Sequence, residues 1–166
     1  MSEKKPIRIF MMHTFSEHAD YHRFFEYLES SPNFFYVNCS APDNAPDGGG
    51  KEALKDEIRR QIETAEVAIV PSSIFADNRD WITYQMDAAQ AKELPLIALE
   101  LFGGVGEIPG EVAERADETV GWNERLIVDA IRRQARHEDT TRWETIEFEM
   151  HIAAHRRVEP SGRRCG

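Results

Sequence analysis

Trp81 and Gln85 stand four residues apart in the segment Trp81-Ile82-Thr83-Tyr84-Gln85-Met86, so on a helix they share one face. Three further polar groups follow short apolar runs: His13 and Phe15 after the first, Asn38, Ser40 and Pro42 after the second, Ser72 and Ser73 after the third. Aromatic rings beside hydroxyl and amide groups suit a planar heterocycle joined to a sugar. Each residue also has a plainer account. Trp81 can pack a helix, the serines can form turns, and Asn38 can close an Asx turn at a strand end.

Other chemistries find less support. His18 and His22 have a spacing that can hold zinc, but no HExxH pattern surrounds them, so they are read as surface polar residues and no metal is expected. Neither G-x-G-x-x-G nor G-x-x-x-x-G-K-[ST] occurs, and no G-x-S-x-G elbow is present. Cys39 is expected to be structural, because nothing near it in sequence would favour a thiolate.

The elements that must position these groups alternate. Strands are expected at 7–12, 34–37, 67–70, 95–99 and 118–120, the third and fourth apolar throughout as befits burial on both faces. A Thr14-x-x-Glu17 capping box predicts a helix starting at Thr14 and carrying Tyr21, Phe24, Phe25 and Leu28 inward. Leu54, Ile58 and Ile62 stack on one face of a helix over 51–65, after an irregular loop from Asn38 to Gly50. Asp77 is expected to cap the helix that carries Trp81 and Gln85, a weak helix follows near 111–116, and Asn123 caps a final helix.

Such alternation implies an α/β fold. The economical form is a flavodoxin-like three-layer sandwich with a five-stranded parallel sheet, whose ligands gather outside the carboxyl ends of the strands. Residues 1–136 are assigned to this domain and 137–166 to a short C-terminal tail element. Within the tail, 146–152 alternates apolar and polar and is read as a strand or hairpin arm packing on the domain or on a second copy, with a short helix carrying Trp143, Ile146 and Met150 on one stripe as the alternative. Arg156, Arg157, Arg163 and Arg164 are read as a frayed end.

Composition narrows the class. The 166 residues are 41% hydrophobic, enough for one core, and twenty Lys and Arg against thirty Asp and Glu leave a net charge of −10. That balance disfavours nucleic acid as a partner. No apolar run approaches the roughly 20 residues that span a bilayer. Two cysteines make no disulfide framework, and a cytoplasmic protein is expected.

The ordered motifs over residues 8 to about 133 resemble the TIR-like domains of the Thoeris ThsB-type family in bacterial antiphage defence, a branch of the Toll/interleukin-1 receptor superfamily. A His-x-aromatic turn is matched by His13-Thr14-Phe15, followed by Tyr21 in the next helix. Asn-x-Ser-x-Pro is matched by Asn38-Cys39-Ser40-Ala41-Pro42. The W-[IV]-x-x-E-[IV]-x-x-A segment is matched by Trp81 through Ala89, the K-x-x-P-[LI]-I strand by Lys92 through Ile97, and V-G-W-N by Val120-Gly121-Trp122-Asn123. The resemblance implies cleavage of the nicotinamide–ribose bond of NAD as substrate, with no cofactor. It also implies a cyclic or conjugated ADP-ribose product that activates a separate effector, a phage trigger, and a homo-oligomer. His13, Phe15, Tyr21, Asn38, Ser40, Pro42, Ser72, Ser73 and Trp81 then become substrate-binding candidates.

One position departs from the pattern. Gln85 stands where the family's catalytic glutamate would be. At about 4 Å the missing unit charge is worth up to about 4 kcal/mol at an effective dielectric near 20, roughly a thousandfold in rate. Three explanations stand: a deliberate inactivating replacement that traps substrate, a natural weak member serving as an interaction or sensing module, or a charge supplied by Asp87 or Asp77. The first is preferred because the other pocket motifs are intact.

Overall fold

The computed structural model describes residues 5–104 and 106–137. The elements run β1 (Ile7–Met11), α1 (Ala19–Glu29), β2 (Tyr36–Asn38), α2 (Gly50–Ile62), β3 (Val67–Pro71), α3 (Ser72–Phe75), α4 (Arg79–Ala91), β4 (Leu96–Leu99), α5 (Gly110–Arg115), β5 (Glu118–Val120) and α6 (Glu124–Arg136). A 3-10 turn spans Phe102–Gly104. The segment 146–152 and the four arginines that follow it lie outside the described residues.

All five strands are parallel, in the order β2-β1-β3-β4-β5. Alternation along each strand divides the core in two. Ile7, Ile9 and Met11 of β1, with Ile69 and Ile97, face Phe24 and Leu28 of α1 and Ile127 and Ile131 of α6. Phe10, Val70 and Ala98 face the other way, against Ile58 and Ile62 of α2, Ile82 and Met86 of α4, and Val112 of α5. This is the flavodoxin-like three-layer α/β sandwich that strand–helix alternation predicts.

Two predicted helix starts are corrected. The Thr14–Glu17 capping box does not form: α1 begins at Ala19, and His18 caps it by accepting the Asp20 N–H at Nδ1 (3.2 Å). Residues 13–17 are held as a strand-exit loop instead, with Phe15 in the left-handed region (φ 60°). Asp77 likewise caps nothing. The residue before α4 is Asn78, whose side-chain amide donates to the Ile74 carbonyl (3.0 Å), because 72–75 is itself a short helix. Asn123 caps α6 as expected, accepting from the Leu126 N–H at 3.0 Å.

The strand order reverses between β1 and β3, so the loops leaving these two strands run to opposite faces and open a crevice at the carboxyl edge. The loops at 12–18 and 39–49 and the segment 72–78, which includes α3, surround that edge. Gly49 turns the second of them into α2 at φ 88°, where an added Cβ would sit 2.6 Å from Ala53 Cβ.

Candidate functional site

The β1 and β2 exits build a cavity of about 480 Å³, whose wall includes Tyr21, Asn38, Ser40 and Pro42. Three of these form a closed ring of hydrogen bonds. Asn38 Nδ2 donates to the Tyr21 hydroxyl (2.9 Å), that hydroxyl pairs with Ser40 Oγ (2.9 Å), and Ser40 Oγ donates to Asn38 Oδ1. Asn38 Oδ1 also accepts from the Ser40 N–H (2.9 Å), which is the Asx turn its position suggests. Tyr21 is placed by α1 and the other two by the end of β2, so the ring ties helix to strand. Glu17, His22, Asp43 and Asn44 complete the rim, which among the described residues contains two carboxylates and no lysine or arginine.

Behind this wall two glutamines grip the loop backbones. Gln85 on α4 is 0% exposed. Its Oε1 accepts the His13 N–H (3.2 Å), and its Nε2 donates to the His13 carbonyl (2.7 Å) and weakly to the Trp81 carbonyl (3.5 Å). Gln61 on α2, 4% exposed, treats Ala41 the same way: Oε1 accepts the Ala41 N–H (2.9 Å) and Nε2 donates to the Ala41 carbonyl (3.1 Å). Each side-chain amide thus reads the N–H and C=O of a single residue, which an ionised carboxylate cannot do because it has no proton to donate.

His13 joins the two grips. Its Nδ1 accepts the Phe15 N–H (3.1 Å), so the proton sits on Nε2 and is donated to Gln61 Oε1 (2.9 Å). Burial pushes the imidazole pKa below its ordinary value of 6.5, with the Gln61 hydrogen bond and the Glu57 charge opposing in part. The ring is therefore neutral at physiological pH. Glu57 accepts from Gln61 Nε2 (2.9 Å) and Asn44 Nδ2 (2.7 Å). Its carboxyl is lowered to about 2, first by the Arg60 hydrogen bond and then, against the opposing effect of burial, by these two donors.

The sequence candidates thus divide. Tyr21, Asn38, Ser40 and Pro42 come together on the cavity. His13 stands behind it, and Phe15 lies edge-on to the His13 ring at 4.8 Å and 6.3 Å from the Trp81 ring. Trp81 stacks on Tyr84 at 5.6 Å, so helix packing describes it. Ser72 and Ser73 open α3 at the β3 exit. Ser73 Oγ donates to Asp20 Oδ2 (2.6 Å), and Ser72 Oγ is buried with no hydrogen-bond partner among the described residues.

Gln85 is buried and is not among the residues that line this cavity. A carboxylate there would set an oxygen against the His13 carbonyl in place of a donor. The amide answers this backbone pair with one acceptor and one donor. Asp87 offers no substitute charge: it is exposed and paired with Arg115 (2.7 Å). Asp77 is exposed as well.

Several residues escaped sequence reasoning. Asp20 is buried at the head of α1, paired with Arg23, whose guanidinium lies 3.8 Å from the Phe102 ring centroid. Gln61 and Glu57 also went unseen, although their spacing of four beside the apolar stripe Ile58–Ile62 was a usable signal. His18 and His22 do not share a site: one caps α1, the other pairs with Glu17 (2.8 Å). Cys39 Sγ lies 3.7 Å from Thr64 Oγ1.

The sequence profile of the family described as Thoeris protein ThsB, TIR-like domain, matches residues 10–103, from β1 through the turn after β4. No curated protein matches the sequence. More than half of the chain fits that profile, and the five-stranded parallel sheet is the fold it requires: the chain belongs to the Thoeris ThsB TIR-like domain family, a TIR module related to antiphage defence.

Proposed function

We propose that this chain is a TIR defence module that binds NAD through its nicotinamide-riboside end without cleaving it. The cavity walled by the Tyr21–Ser40–Asn38 ring carries this reading. Its volume of about 480 Å³ lies in the range of small-molecule pockets. Hydroxyl and amide groups in a preset ring can exchange partners with ribose hydroxyls, and the carboxylates of Glu17 and Asp43 suit the cationic nicotinamide ring. Cleavage would develop positive charge on the ribose, as in glycoside hydrolysis, and would need a carboxylate beside it. Gln85 brings none and is engaged by the His13 backbone.

A second reading keeps NAD cleavage, with an ADP-ribose-derived signalling nucleotide, cyclic or conjugated, activating a separate effector after a phage trigger. It draws on Asp20, a buried carboxylate at the β1–β3 crevice hydrogen-bonded by Ser73. Arg23 already neutralises that carboxylate, which weighs against it as a stabiliser of ribosyl charge.

Calorimetric titration with NAD, NADH and ADP-ribose, together with an assay for released nicotinamide, tests the proposal. NAD is expected to bind at least several-fold tighter than NADH or ADP-ribose, neither of which presents a cationic ring, and no nicotinamide is expected. Release of nicotinamide by the native chain would replace the proposal with the second reading.

A further inference from the structure

Six of the residues that wall the cavity, 38 and 40–44, come from the end of β2 and the loop that leads from it to α2. This stretch holds a proline and two asparagines, and little of it reaches the core. What fixes it is α2. Gln61 takes both backbone groups of Ala41, and Glu57 takes the Asn44 side chain. Gln61 Oε1 accepts a third bond from His13 Nε2, so one amide oxygen serves the β1 exit and the β2 exit together.

We propose that Gln61 is a positioning residue for NAD binding: by holding Ala41 directly and His13 through its ring, it sets the spacing between the two loops that form the cavity. The inference rests on the nucleotide reading of that cavity. It identifies a residue that touches no ligand yet governs affinity, because a preset wall spares the ligand the cost of ordering the loop. The neutral His13 ring fits the arrangement, since Nε2 donates while Nδ1 accepts. A charged ring would place a second proton against the Phe15 N–H.

Gln61→Met keeps the volume and removes all four hydrogen bonds. The expected result is an NAD Kd raised at least tenfold, with the Ala41 amide exchanging its proton at least tenfold faster and the β3 amides unchanged. In nitrogen-15 spectra the His13 Nε2 proton, held in the native chain by Gln61 Oε1, should lose its slow exchange. Gln61→Asn, one methylene too short to reach Ala41 and His13 from α2, is expected to weaken NAD binding about fivefold and serves if the methionine variant does not fold. An NAD affinity within twofold of native in Gln61→Met, or in Gln61→Asn where that variant stands in, overturns the positioning role even if Ala41 exchanges faster. An unchanged Ala41 exchange rate in Gln61→Met overturns the clamp itself. Failure of the native chain to bind NAD instead overturns the nucleotide reading, and is told apart because it appears without any substitution.

Discussion

At the scale of single residues, the identity of position 85 is decided by two backbone atoms. The His13 N–H and carbonyl face Gln85 at 3.2 and 2.7 Å inside the protein, and only a group with one acceptor and one donor answers both. Gln85→Glu is therefore expected to destabilise the fold by about 3 kcal/mol, the cost of a buried carboxylate facing a carbonyl with its donor lost. For a domain of this size that is roughly 10 °C in Tm, readable by thermal unfolding. The same variant is expected to release no nicotinamide from NAD. Turnover in the glutamate form would show that the loop opens to bring position 85 to the ligand. Phe15 belongs to the same story. A bulky residue at φ 60° costs about 1 kcal/mol or more, and the strain is held by its N–H bond to His13 and its contact with the His13 ring.

At the scale of elements, the comparison between the two ends of the chain is instructive. Thr14-x-x-Glu17 and Asn123 are both capping signals in sequence, yet only Asn123 caps. Asn123 follows β5 after a two-residue turn and is free to set its own geometry. Thr14 follows His13, whose backbone α4 has already claimed, so its hydroxyl bonds Ser16 (2.7 Å) and the helix starts later. Asn123→Ala should lower stability by about 1 kcal/mol, measured as a shift in denaturant midpoint without a change in slope. The division of strand faces was legible because β1, β3 and β4 alternate or run apolar throughout. The helix α3 was not, since Ser72–Phe75 is too short to show a period.

For the whole molecule, the buried His13 links stability to pH. Its folded pKa lies below the ordinary 6.5, so the unfolded chain takes up a proton that the native fold refuses. This component is fully present above that ordinary value and is lost as the pH falls below it toward the folded value, with a slope of at most about 1.4 kcal/mol per pH unit. Urea unfolding between pH 7.5 and 5 should show the decline, and His13→Gln should flatten the part of it due to this ring. Glu57 acts later: its anchorage of the 39–44 loop is complete above its ordinary value of 4.5 and is lost as the pH falls toward about 2.

The sequence alone determined the parallel sheet, the helices that cover it and the loops that carry the site, because hydrophobic period and strand–helix alternation are local properties of the chain. It also brought Asn38, Ser40 and Pro42 to one edge, since strand ends in such a sheet must converge there, while Tyr21 joined them only through the family resemblance. Only the tertiary structure decided that Gln85 faces backbone rather than cavity, that Gln61 matters, and that Asp20 meets Ser73 and Arg23. The reason is physical. Each of these pairings joins residues distant in sequence through a directional hydrogen bond, and direction is fixed only when the elements have packed.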